Sequence, residues 1–328
     1  MTKKGKYMKK PLILIAGPTA SGKTSTSVLL AKAINGEIIS ADSMQIYKGM
    51  DIGTAKVKPE EMQGIKHYMI DEWEADFPCS VATFKERVKG YLEEIYQKGK
   101  IPILVGGTGF YINAILFDTQ FEETSPNEDY RNALQEFVKS YGPEKLHEKL
   151  KVVDPLSAAH IHPNNVKRVI RALEYYEETG QPISAHNEEE KEKRKENESP
   201  YAYTFFALDM DRSKLYERIN LRIDEMVEEG LVQEVKYFFD KGYSEDLPSM
   251  KAIGYKEFFP YFKGEASLEA CIEQLKKNTR HYAKRQMTWF RHQASPIFLN
   301  VDQLGFNTEA IVAEMLSKIN PNNTYLKV

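Results

Sequence analysis

Gly17-Pro18-Thr19-Ala20-Ser21-Gly22-Lys23-Thr24 follows directly on the apolar run Leu12 to Ala16 and leads into Ser25 to Ile34, a stretch of helical composition. The octet fits the phosphate-binding loop pattern, Gly, four residues, then Gly-Lys-Ser/Thr, and it lies between a predicted strand and a predicted helix, where that chemistry needs it. Its glycines let backbone N–H groups wrap a phosphate and the helix N-terminus adds a partial positive charge. Lys23 adds a full charge, and the Thr24 hydroxyl can hold Mg²⁺. The alternative, a glycine-rich turn without catalytic meaning, has both sequence and context against it.

Outward from this loop the same alternation continues. Glu37 to Ser40 reads as a second strand, and Ile101 to Val105 as another, bounded by Pro102 and Gly106-Gly107. Between them Val81, Phe84, Val88, Leu92 and Ile95 recur at helical spacing over Val81 to Lys98. Strands alternating with helices predict an α/β fold, a P-loop core with a mainly parallel sheet flanked by helices. From about Thr119 to Pro200 the texture is helical without convincing strands, so residues 119–200 read as an inserted helical domain. The core then comprises 1–118 and 201–328, with Tyr203 to Leu208 returning to the sheet. Glu188 to Glu198 mixes charge signs and reads as a solvated helix or a mobile linker.

The composition narrows the function classes. A chain of 328 residues is long enough for two lobes or for a core with an insertion. With 45 Lys and Arg against 48 Asp and Glu the net charge is -3, which excludes a wholly basic nucleic-acid coat and permits local basic patches. Cys79 and Cys271 lie far apart, so neither a disulfide framework nor a cysteine zinc site is indicated, and a reducing cytoplasm fits. Lys3, Lys4, Lys6, Lys9 and Lys10 precede an apolar run too short for a secretory segment, and no stretch approaches the ~20 apolar residues of a membrane span. The expectation is a soluble cytoplasmic monomer with no membrane partner.

A phosphate loop alone indicates a phosphorylated ligand, and most such loops belong to nucleotide hydrolases and kinases. The strand ending Ile38-Ile39-Ser40-Ala41 puts Asp42 at the carboxyl edge of the sheet, where ligands of such folds bind. Spacing alone leaves two roles open for it, a Mg²⁺ ligand or a general base. Val105-Gly106-Gly107-Thr108-Gly109 leaves another strand at that edge, either as a tight turn or as a close backbone approach to a ligand with the Thr108 hydroxyl in reach.

Taken together these segments resemble the bacterial tRNA dimethylallyltransferases, also called tRNA isopentenyltransferases. The resemblance runs through Gly17 to Thr24, then Asp42 to Tyr47 with Met50 to Lys56, and Gly106 to Tyr111. It continues in Ile161 to Asn165 with Lys167-Arg168 and Arg171 to Glu174, in Ala252 to Glu257, and in Thr279 to Arg291. One departure is Lys66-His67-Tyr68, with one histidine where that family commonly has two. The resemblance implies attack by the exocyclic N6 amine of the adenosine just 3′ of the anticodon on dimethylallyl diphosphate, with pyrophosphate leaving. It implies that Asp42 is the general base and that Lys23 and the loop amides hold the diphosphate. Thr24 would hold Mg²⁺, Thr19 would stand close to the reacting atoms, and Arg222 would stabilise the leaving pyrophosphate. Asp42, Ser43, Met44 and Gln45 match contacts to the flipped-out adenosine, and Thr108 and Arg131 match further tRNA contacts. Without the resemblance Arg222 reads as a solvated helix arginine.

Val166, Val169, Ile170 and Leu173 form one apolar helix stripe, leaving Lys167, Arg168 and Arg171 to point elsewhere. The family resemblance turns that segment, Lys167 through Arg171 with Val169 and Ile170, into a tRNA-binding expectation within the inserted domain; otherwise it is a solvated face. Lys276 to His292 contains six Lys or Arg and no Asp or Glu, and Lys277, Arg280, Lys284 and Arg291 share a face that suits the anticodon stem-loop. Tyr282, Trp289 and Phe290 read first as core aromatics and second as stacking platforms. Three competing functions stay open: a P-loop nucleotide kinase or NTPase, an adenylate dimethylallyltransferase acting on free AMP, and a tRNA-binding protein without catalysis.

Overall fold

The computed structural model describes residues 9–121, 127–195 and 199–319; Lys3, Lys4, Lys6 and residues 196–198 of the charged run lie outside them. The chain forms two compact units, one from residues up to Leu116 together with those from Pro200, the other Phe117–Ser199.

The first unit begins with strand β1 (Lys10–Ala16), buried from Leu12 onward, which runs through the phosphate loop into helix α1 (Lys23–Ala33). Then come β2 (Gly36–Ser40), the short α2 (Pro59–Met62) and the two-residue β3 (His67–Tyr68). Helix α3 (Val81–Gln97) follows, then β4 (Ile101–Gly106) and α4 (Gly109–Leu116). The Ser80 hydroxyl accepts the Thr83 N–H at the start of α3, and Phe84, Val88, Leu92 and Ile95 form its buried face.

The second unit is helical: α5 (Glu128–Tyr141), α6 (Pro143–Val153), α7 (Pro155–His160), α8 (Val166–Thr179) and α9 (Ile183–Lys195). The charged run is thus helical as far as Lys195. Leu134, Leu146, Leu150, Val169, Ile170 and Leu173 supply much of this unit's core.

The chain returns to the first unit through β5 (Tyr201–Asp209), α10 (Arg212–Glu228) and α11 (Leu231–Asp240). It ends with α12 (Phe259–Phe262), α13 (Leu268–Gln293), β6 (Ile297–Asn300) and α14 (Thr308–Lys318). The strands make one all-parallel sheet in the order β3-β2-β4-β1-β5-β6. The nearly unbroken apolar runs of β1 and β4 follow from burial on both faces of such a sheet. Sequence reading missed β3 and β6: two residues carry no period, and β6 alternates poorly, with three of its four residues exposed. In register, Ala16 stands beside Gly106 and Ala207, and Ser40 beside Val105, so the loops leaving β1, β2, β4 and β5 emerge along one edge. Among the described residues no helix is long and apolar enough to cross a membrane.

One ion cluster anchors the helical unit. The Glu174 side chain on α8 is fully buried and accepts two bonds from one Arg131 nitrogen, at 2.7 and 2.9 Å, and one from Arg171 at 3.2 Å. A carboxylate without water needs such partners, so removing Arg131 strips most of its compensation. Arg131→Ala is therefore expected to destabilise this unit by about 2–3 kcal/mol. Urea unfolding with amide exchange over residues 127–195 checks this; wild-type protection in the variant would mean that the pair is not a structural anchor.

Candidate active site

The loop after β1 curls back on itself. Gly17 has φ +149°, and a Cβ there would stand 2.9 Å from the Leu208 carbonyl oxygen on β5, so the turn requires glycine. The Lys23 Nζ donates to the carbonyl oxygens of Gly17 at 3.0 Å and Pro18 at 2.6 Å, folding the amine across the loop it serves. Burial first, and then Arg222, push that amine down to about 7, against a smaller opposing pull from Asp42. The Ser21 hydroxyl is buried with no hydrogen-bond partner, a polar atom oriented for something the chain does not itself supply.

Asp42 stands where β2 ends. Its Oδ1 accepts the backbone N–H of Met44 at 2.8 Å and a longer one from Gln45 at 3.4 Å, closing a tight turn. Burial raises the carboxyl above its ordinary value, while those two amides, Lys23 and Arg222 oppose the rise. Lys23 and Arg222 both act on the buried Asp42 carboxyl, and Asp42 acts on each of them in turn.

Arg222 reaches the pocket from α10. Burial lowers its guanidinium, and Glu61, Glu225 and Asp42 counter that. One turn earlier Arg218 donates its Nε to the Ala20 carbonyl at 2.9 Å and packs over Phe306, holding the outer bend of the phosphate loop. The sequence offered a signal for this second arginine in the four-residue spacing, since i and i+4 share a helix face.

The third wall comes from α13. The Gln286 amide bridges two loops, accepting the Thr19 N–H at 3.3 Å and donating to the Gly107 carbonyl at 3.0 Å. A Cβ on Gly107 would lie 2.0 Å from Gln286 Nε2, and one on Gly109 would lie 2.2 Å from the Trp289 ring. The glycines after β4 thus admit α13 to the site, which favours close backbone approach over a bare turn, with a helix as the approaching partner. Tyr282, one turn before Gln286, lies beside Thr108; burial and then Asp42 push its phenol up to about 12.

A cavity of about 420 Å³ opens between Thr24 at the start of α1, Arg222 and the 51–62 segment. Ile52, Ala55, Val57, Met62, Ile70 and Met226 give it apolar walls, and Lys56, Glu61 and Glu225 charge its rim. Among the described residues no group of three His, Cys, Asp or Glu is placed to hold a metal ion.

The core unit therefore gathers Gly17–Thr24, Asp42–Gln45, Thr108 and Arg222. Gln45 uses its side chain inward: its oxygen accepts the Ser40 hydroxyl, and its nitrogen donates to the Thr54 and Ala55 carbonyls. Arg131 and Lys167–Arg171 belong to the helical unit. There Lys167 and Arg168 are exposed on α8, while Val169 is fully buried and Ile170 nearly so. These two are withdrawn as side-chain contacts to tRNA, because they are core of the helical unit. On α13, Lys276 pairs with Asp224, Arg280 with Asn220 and Arg291 with Asp209, so much of the basic face is tied to the protein, while Lys277 and Lys284 are exposed. Phe290 is fully buried, as the core reading of the aromatics expected.

The IPP transferase family model matches residues 45–293. A tRNA dimethylallyltransferase of Lachnoclostridium phytofermentans is 50% identical over 310 residues, 94% of this chain and 97% of that one. Among solved structures, the full-length tRNA isopentenylpyrophosphate transferase of Bacillus halodurans superposes with a TM-score of 0.69 at 45% identity, covering 94% of this chain and 97% of its own. A eukaryotic dimethylallyltransferase acting on tRNA superposes with a TM-score of 0.73 at 31% identity, over 89% of this chain and 74% of its own. A phosphate loop, a buried carboxylate and an arginine converging at one sheet edge, in a chain matched along nearly its whole length, place this protein in the IPP transferase family, that of the tRNA dimethylallyltransferases.

Proposed function

We propose that this protein transfers a dimethylallyl group from dimethylallyl diphosphate to the N6 amine of the adenosine 3′-adjacent to the anticodon, releasing pyrophosphate, and that it works in the cytoplasm as a monomer. The observation that carries the chemistry is the delivery of Asp42 and of Lys23, folded across its phosphate loop, to one edge of the sheet, where Arg222 also acts on the Asp42 carboxyl. In this reading the N6–carbon bond forms as the carbon–oxygen bond to diphosphate breaks, and the N6 proton passes to the Asp42 carboxylate. Its raised proton affinity suits a group that must accept a proton during the reaction. Lys23 exchanges its bonds to the Gly17 and Pro18 carbonyls for phosphate oxygens, and Arg222 takes charge on the leaving group. Thr24 and the diphosphate would hold a Mg²⁺, which neutralises phosphate charge when bound. Thr19, fixed by Gln286, shapes the loop near the reacting atoms. Ser43, Met44, Gln45 and Thr108 would form the wall met by the extruded base, and Lys167, Arg168 and Arg171 would meet tRNA phosphates. The kinase, AMP-prenylating and non-catalytic readings are not favoured, since relatives matched along nearly the whole chain are tRNA dimethylallyltransferases.

The deciding experiment supplies labelled dimethylallyl diphosphate and Mg²⁺ with unmodified tRNA, AMP or ATP. Label is expected in tRNA alone; label in AMP, or ATP turnover without transfer, overturns the proposal. In the same assay Asp42→Asn is expected to slow transfer by about 10²–10⁴-fold while retaining pyrophosphate binding. Transfer at the wild-type rate would remove Asp42 as the base.

A pH effect follows from Lys23. In the empty site its amine titrates at about 7, and a bound diphosphate favours the charged form. Below pH 7 the amine is protonated with or without ligand and contributes no pH dependence. Above pH 7 binding must take up a proton, so affinity weakens by up to about tenfold per pH unit. Calorimetry with Mg²⁺-pyrophosphate at pH 8, in buffers of different ionisation enthalpy, should show greater proton uptake by the wild type than by Lys23→Met. Equal uptake by the two would mean that Lys23 is already charged in the empty site.

A further inference from the structure

The 51–57 segment forms one wall of the cavity beside Thr24 and Arg222, contributing Asp51, Ile52, Ala55, Lys56 and Val57. It is a loop with no sheet partner, so its shape depends on what binds its backbone. The Glu234 carboxylate on α11 accepts three successive N–H groups of this loop: Asp51 at 3.0 Å and Ile52 at 2.8 Å on Oε2, and Gly53 at 3.0 Å on Oε1. The Tyr255 hydroxyl donates a fourth bond to Oε1. Tyr255 is fully buried, and a Cβ on Gly53 would lie 2.5 Å from its ring, so Gly53 is shaped to the tyrosine as well as to the carboxylate. Both burial and the neighbouring carboxylate hold the phenol protonated and able to donate.

The anchored loop reaches the site in two directions. Its Lys56 amine is almost wholly buried and is held by Asp51, Asp71 and the Tyr47 carbonyl. Its Thr54 and Ala55 carbonyls accept bonds from the Gln45 side-chain amide, and the backbone N–H of the same residue helps close the Asp42 turn. Four hydrogen bonds to one carboxylate thus set the wall of the donor cavity and brace the turn that carries the base.

We propose that Glu234, with Tyr255, is a positioning residue for the donor diphosphate: it touches no reacting atom and acts by holding the 51–56 loop as a wall of the cavity that Thr24 and Arg222 also line. The proposal rests on the reading that this pocket takes the diphosphate, so the test uses inorganic pyrophosphate with Mg²⁺ and does not depend on transfer to tRNA.

Glu234→Gln keeps the side chain's size but turns one amide-accepting oxygen into a donor facing backbone N–H groups. Pyrophosphate affinity, measured by calorimetry, is expected to fall about tenfold. Tyr255→Phe removes one of the four bonds and is expected to cost about threefold, and the double variant should be weaker than Glu234→Gln by less than that threefold, because both act on one network. Val235→Ala provides the control. It opens a cavity at the next residue of the same helix, a fully buried one whose side chain makes no hydrogen bond to the loop, and with melting lowered as far as in Glu234→Gln it should keep pyrophosphate affinity within about twofold. Wild-type affinity in Glu234→Gln, or an equal loss in Val235→Ala, overturns the positioning role. Failure of the wild type to bind pyrophosphate at all would instead overturn the diphosphate reading on which it rests.

Discussion

Lys23, Asp42 and Arg222 are held together away from water, and much of the core can be understood as what it takes to keep them there. Bringing two cations and a carboxylate into a shared desolvated pocket is unfavourable unless each finds compensation. The parallel sheet supplies the frame, since strands ending in register deliver the loops after β1, β2 and β4 to one edge without any loop crossing the core. Helices on both faces then exclude water from that edge, which strengthens each electrostatic interaction within it. The lowered affinity of Lys23 for its proton and the raised affinity of Asp42 for one are two results of the same burial.

The phosphate loop and the turn after β4 are each fixed by a side chain from a distant segment, while the Asp42 turn is closed by its own carboxyl and braced outward by Gln45. Arg218 holds the bend of the phosphate loop at the Ala20 carbonyl. Gln286 ties that loop to the turn after β4, and Gln45 joins the Asp42 turn to the loop that Glu234 anchors. Every one of these bonds goes to a backbone group, so the geometry of the site is carried by main-chain atoms that a change of loop side chain would leave in place. Glycine stands where these braces come closest: Gly107 makes room for Gln286, and Gly53 for Tyr255.

This division explains what could be read from the chain. Gly17 to Thr24 was legible because its eight residues are contiguous and their spacing is the mechanism; Asp42 was legible because it ends a strand. The role of Arg222 came from family resemblance alone, since nothing local to α10 shows that it faces the phosphate loop. Gln286 and Glu234 carried no such signal. Their partners lie 267 and about 182 positions away, and a glutamate on a half-polar helix looks like any solvated one. The pairing of part of the α13 basic run was hidden for a related reason. A run without Asp or Glu looks uncompensated in sequence, yet Asp224, Asn220 and Asp209 meet it from α10 and β5. Strand β3 was invisible because two residues have no period.

How a cation is matched separates those that brace the protein from those that can serve a ligand. Lys56 is held by two carboxylates as well as a carbonyl, and Arg131 grips a fully buried glutamate twice; an incoming phosphate would have to outcompete an ion pair at either, leaving a carboxylate stranded. Lys23 is held by two neutral carbonyls of its own loop, and its proton affinity is already depressed. Replacing those carbonyls by phosphate oxygens strands no buried carboxylate and restores the charge that burial weakened. Within the helical unit Arg131 is likewise paired with the buried Glu174. Lys167 and Arg168, exposed two positions and one position before the core residue Val169, are cations that α8 presents outward.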